Sequence, residues 1–94
     1  MKKSIIFLVD VFPKNTNQII FLNSFSKLKK SFKLILFVFE KKSQNTNTLN
    51  KVFDIKFIKT KKFFYTLIQE INPKIIFNLR EKNFSFLEKA KNKN

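Results

Sequence analysis

Cysteine, histidine, glycine and tryptophan are all missing from this chain of 94 residues. Without cysteine and histidine there is no disulfide, no thiolate or imidazole metal site, and no Cys-His or Ser-His-Asp machinery. Without glycine there is no P-loop and no glycine-rich dinucleotide fingerprint. The composition therefore calls for no cofactor. Acidic residues are scarce, 6 against 20 basic ones. Of these, only Asp10 and Glu81 form a pair that could converge for acid–base work. The longest apolar run, Leu34 to Phe39, is far short of the ~20 residues of a transmembrane segment. Lys2-Lys3 before Ile5–Val9 resembles the start of a signal peptide, but Asp10 cuts the apolar stretch and no small-residue cleavage site follows. A buried strand is the better reading, and the lack of cysteine fits a cytoplasmic address.

What is present is lysine, asparagine and phenylalanine. The net charge is +14, yet Arg80 is the single arginine, and there are 14 phenylalanines and 11 asparagines. Phosphate and base recognition favours the planar, bidentate arginine fork. The skew matches the residues of A/T-rich codons, so coding bias accounts for much of the charge. That charge still promotes weak association with anionic surfaces, and nucleic-acid binding remains as a third functional reading.

The hydrophobic pattern defines the elements. Ser4–Val11 and Phe32–Glu40 are apolar on both faces, as in central parallel strands. Between them, Gln18–Lys30 places Phe21, Phe25 and Leu28, with Leu22, on one helical stripe, capped by Thr16 or Asn17. Residues 41–50 form a polar loop, with a helical turn near Leu49–Phe53. Asp54–Ile58 alternates as a more exposed strand. Thr60 caps a helix over Lys61–Ile71, stopped by Asn72-Pro73, and Lys74–Leu79 is a fourth strand. The residues from Glu81 on form one weak helix that frays into a disordered tail at about 89–94. This order predicts an α/β fold: a Rossmann-like, open, mostly parallel sheet of about four strands with flanking helices. Residues 1–94 read as a single, partial domain whose last strand is left poorly covered.

Ligands of open α/β sheets bind beyond the carboxyl ends of the strands. That directs attention to the loop after the first strand, with Asp10, Phe12, Lys14, Asn15, Thr16 and Asn17, where helix-start N–H groups could hold an anion or a sugar hydroxyl. The second location is Asn78, Arg80 and Glu81 after the fourth strand, where Arg80 reads in the first instance as a solvated strand end. Asp54 and Glu40 read as strand-edge carboxylates offsetting nearby lysines. The phenylalanine stripes read as core.

The stretch Ile6-Phe7-Leu8-Val9-Asp10-Val11-Phe12-Pro13, followed by a polar turn and the segment Phe21–Leu28, resembles the opening of GT-B glycosyltransferases, most closely the family-4-like amino-terminal domain. The resemblance resumes at Leu67–Ile76, a helix running through Asn72-Pro73 into an Ile-Ile strand. It implies the front part of such a domain, from polysaccharide or glycolipid synthesis. The chain departs from the family at Lys14–Asn17, where glycine is usual, at Phe77-Asn78-Leu79, where histidine often stands, and at Lys74, which replaces an acidic residue. The family's second, donor-binding domain is not within these residues. The resemblance thus implies a truncated or split glycosyltransferase-like domain without catalysis of its own, partnered by a second glycosyltransferase domain. The alternative is a small standalone module that docks a protein partner.

Overall fold

The structure, a computed structural model, describes residues 2–13, 15–40 and 49–80. β1 (Lys3–Val9) leads into α1 (Thr16–Asn23), a 3-10 segment (Ser24–Lys30) and β2 (Phe32–Val38). Further along the chain come α2 (Leu49–Val52), β3 (Asp54–Phe57), α3 (Lys61–Ile71) and β4 (Ile75–Asn78). The four strands form one all-parallel sheet in the order β3-β2-β1-β4. This is an α/β, Rossmann-like arrangement, small and partial.

The sheet is built outward from β1. Its register with β2 runs from Lys3 opposite Phe32 to Val9 opposite Val38, and with β4 from Ile5 opposite Ile75 to Leu8 opposite Asn78. Residues 5–9 and 34–38 are all buried. Because side chains alternate between faces, this run feeds two cores. Ile5, Phe7 and Val9 join Leu34, Leu36 and Val38 under Leu22 of α1, Leu49 of α2 and Phe53. Ile6 and Leu8 join Ile35 and Phe37 under Phe64 and Ile68 of α3. No polar or charged residue is buried among those described. A strand in the middle of such a sheet has no solvent face, hence its uninterrupted apolar sequence.

The helix ends follow side-chain chemistry. Thr60 Oγ1 accepts from the Phe63 N–H at 3.1 Å, fixing the start of α3 as expected. In a chain without glycine, Asn72 takes the left-handed position (φ 48°) that ends α3, and its N–H donates to the Ile68 carbonyl before Pro73. At α1 the cap is Asn15, whose Oδ1 accepts from the Asn17 N–H at 2.8 Å, so Thr16 and Asn17 lie in the first turn instead of capping it.

Gln18–Lys30 is not one α-helix. It starts earlier, at Thr16, and tightens to a 3-10 segment at Ser24. Ser24 Oγ donates to the Phe21 carbonyl, and such local bonds compete with the α-helical ladder. The tighter winding keeps Phe25 and Leu28, three residues apart, on one face toward the core. Phe21 falls off the predicted stripe and is 50% exposed, while Leu22 is buried. The strands end one or two residues inside several predicted limits: β1 at Val9, β2 at Val38, β3 at Phe57 and β4 at Asn78. The predicted carboxy-terminal helix and the tail at 89–94 lie outside the described residues.

The two sheet edges differ. Asp54 on β3 sits 3.9 Å from Lys33 and 3.7 Å from Lys56, so that edge is charged. Charge on an edge strand discourages unwanted pairing. β4 reads Ile-Ile-Phe-Asn, and Ile75 and Phe77 stand 38% and 37% exposed.

Phe7→Ala removes the ring at the centre of the first core. The expected cost is about 3–5 kcal/mol, a large part of a small domain's stability, so cooperative urea unfolding followed by circular dichroism should collapse or vanish. Thr60→Ala should lower unfolding stability by about 1 kcal/mol. Lys62→Glu, which places a negative charge in the first turn of α3, should raise it by about 0.3–1 kcal/mol at low salt; the same urea titration reads both.

Candidate functional site

The connection from β1 leaves toward α1 on one face, whereas β4 arrives from α3 on the other. Between these neighbouring strands the chain direction switches, and a crevice opens beyond their carboxyl ends. Here it is a cleft of ≈ 500 Å³. Val11, Pro13, Phe21 and Leu79 supply its apolar walls, and Asp10, Asn17 and Gln18 its polar groups. Among the described residues no lysine lines it, although the chain carries 20 basic residues.

Asp10 and Arg80 close the base of this region. The Arg80 Nε donates to Asp10 Oδ1 at 2.7 Å, bridging the residue after β1 to the second residue beyond β4. The Arg80 side chain is only 13% exposed and Asp10 32%. The guanidinium also lies 3.9 Å above the ring of Phe39, the residue after β2. A planar cation serves both contacts at once, which an ammonium would not. Asn78 Oδ1 accepts from the Arg80 backbone N–H at 3.0 Å, and Leu79 N–H donates to the Leu8 carbonyl at 2.9 Å. The ends of β1, β2 and β4 are thereby tied together.

The residues singled out in the sequence separate into three groups. Asp10 and Asn17 line the cleft. Asn78 and Arg80 stand behind Asp10 and hold its position, so Arg80 is a part-buried clasp and not a solvated strand end. Phe12 is buried in the core, its ring 6.3 Å from that of Phe57, and does not line the cleft. Asn15 and Thr16 are exposed at the helix start. Because Asn15 Oδ1 already accepts the Asn17 N–H, the first turn has one fewer N–H to offer an anion. Lys14 and Glu81, and with Glu81 the predicted carboxylate pair, lie outside the described residues. Glu40 has a task the sequence did not suggest: its Oε1 accepts from the Phe12 N–H at 3.0 Å and pins the loop after β1, and among the described residues no lysine pairs with it.

Sequence reading missed Gln18, Phe21 and Leu79 as cleft residues. The signal was available for Gln18, one position past Asn17 in the first turn of α1. For Leu79 it was the strand order, since only a sheet with β4 beside β1 brings that residue to the crevice.

The fold and cleft define a small parallel α/β protein with a ligand-sized crevice at its topological switch point. Compared with protein-family models, curated proteins and solved structures, the chain matches none of them.

The clasp is testable by a double-mutant cycle. Asp10→Asn and Arg80→Met should each destabilise the domain, and the double variant should lose less than the sum, with a coupling energy of about 1–2 kcal/mol. Additive losses in urea titrations would show that the two side chains act independently.

Proposed function

We propose that this chain is a glycosyltransferase-like amino-terminal half-domain, which seats the acceptor side of a sugar-transfer system and is not catalytic alone. The observation that carries this reading is the chemistry of the cleft. Two amides and one carboxylate stand against Val11, Pro13, Phe21 and Leu79. Amides donate and accept hydrogen bonds to hydroxyls, and apolar walls suit a sugar face or an alkyl chain. A phosphate-bearing donor would call for cations there, and the described lining has none. The resemblance of residues 6–13, 21–28 and 67–76 to the family-4-like domain supports the same assignment. In that family the donor sugar nucleotide is held by a second domain.

The isolated chain should bind an alkyl glycoside by calorimetric titration and transfer no label from nucleotide-sugars to a glycolipid acceptor. Asn17→Ala together with Gln18→Ala should weaken glycoside binding by about tenfold, roughly 1.4 kcal/mol. Label transfer by the chain alone would refute the non-catalytic reading, and glycoside affinity unchanged in the double variant would refute the cleft.

A second reading, a module that docks a protein partner, rests on a different observation. Ile75, Phe77 and Leu79, beside Phe21, are 37–50% exposed along an edge strand that carries no charge. Contiguous apolar surface of this kind marks interaction sites. Sedimentation of the chain as a monomer at all concentrations, with no partner recovered on it, would count against this reading.

A further inference from the structure

At the opposite end of the sheet from the cleft, the strand starts gather positive charge. Two hollows of ≈ 550 Å³ each share Lys2 and Lys33 in their walls. Lys29 and Lys51 complete one, Lys3 and Lys74 the other, and Asp54 is the sole carboxylate lining either. We infer that this amino-terminal rim of the sheet is a binding surface for the phosphodiester backbone of nucleic acid, read without sequence preference.

Topology makes the cluster. Lys33 on β2 is adjacent to Ser4 on β1 in register, and the Lys74 N–H donates to the Ser4 carbonyl at 2.8 Å. Lys33 and Lys74 thus flank β1, with Lys3 at its start. Strands stand ≈ 4.8 Å apart, so three lysines lie across about 10 Å of rim. Like charges this close repel one another unless an anion sits among them.

Helix capping accounts for only part of the rim. Lys2 Nζ donates to the Lys29 carbonyl and Lys29 Nζ to the Lys51 carbonyl, as cations do at helix ends. Lys33 shares Asp54 with Lys56 at 3.9 and 3.7 Å, exposed contacts of small worth. No carboxylate within ion-pair distance of Lys3 or Lys74 is found among the described residues.

The surroundings favour a phosphate polymer over a bilayer. None of the residues lining the two hollows is an exposed large hydrophobe; Ile75, next to Lys74, lines neither of them, and Val11, Phe21 and Leu79 border the cleft at the other end. A membrane-docking face needs apolar groups beside its cations. Lysines are point charges that contact phosphates without the bidentate fork that reads bases. Coding bias bears on the number of lysines and not on their placement. Their gathering at one rim is a property of the fold.

The test separates this rim from total charge. Fluorescence anisotropy with a labelled oligothymidylate would compare wild type with Lys3→Gln/Lys33→Gln/Lys74→Gln and with Lys59→Gln/Lys61→Gln/Lys62→Gln, which removes the same three charges at the start of α3. The rim variant should bind about tenfold more weakly or worse. Its slope of log affinity against log salt should be shallower by about two, since single strands give about 0.7 per phosphate contact. The α3 variant should stay within about twofold of wild type. Equal losses in the two variants, or no oligonucleotide binding by wild type, would overturn the proposal. So would equally tight binding to phosphatidylserine vesicles that is lost in the same rim variant. Should the rim variant fail to fold, acetylation of wild type decides: bound oligonucleotide should shield Lys3, Lys33 and Lys74 and leave Lys59 and Lys62 reactive, and the reverse pattern would refute the assignment.

Discussion

Burial of β1 on both faces is the constraint on which the rest of this structure depends, and Phe7 is where it concentrates. Its ring packs 4.9 Å from Phe25 of the 3-10 segment, 5.2 Å from Phe53 before β3, and 5.0 Å from Phe77 of β4. One side chain on the central strand thus touches the elements that follow each of its connections. Aromatic pairs at these spacings add to simple area burial. With β1 fixed between β2 and β4, the right-handed rule for parallel crossovers puts α1 and α2 on one face and α3 on the other. The crevice between β1 and β4 is a geometric consequence of that arrangement.

The two ends of the sheet then acquire different chemistry. At the carboxyl end the carboxylates have defined tasks: Asp10 receives Arg80, and Glu40 receives the Phe12 N–H. What faces the cleft is mainly amide and apolar. At the amino end lysines line both hollows, and Asp54 is the single carboxylate among the lining residues. A chain rich in lysine has therefore produced one end with a cleft free of lysine among its described lining and one whose hollows are lined by it. The net charge alone would have distinguished neither.

Much of this was legible in the sequence because it is local. Residues 5–9 and 34–38 carry their double-sided burial as an unbroken apolar run, and Thr60 and Asn72-Pro73 delimit α3 to the residue. That the strands run parallel followed from the alternation of strands and helices, whereas their order in the sheet did not. The break at Ser24 was harder, since it turns on whether a serine hydroxyl bonds back to the Phe21 carbonyl. The tasks of Arg80 and Glu40 were hidden for a different reason. Their partners are 70 and 28 residues away in sequence, and only the assembled sheet brings them within hydrogen-bond reach. Leu79 enters the cleft through the same assembly.

The most direct test of the account is to map where a hydroxylated ligand sits. Nitrogen-15-labelled chain titrated with octyl glucoside below its micellar concentration should shift the amide resonances of Asn17, Gln18 and Leu79 in parallel and saturably, leaving Lys3 and Lys74 unmoved. Shifts confined to the lysine rim, or none at the β1–β4 crevice, would contradict the assignment of that crevice as the ligand site.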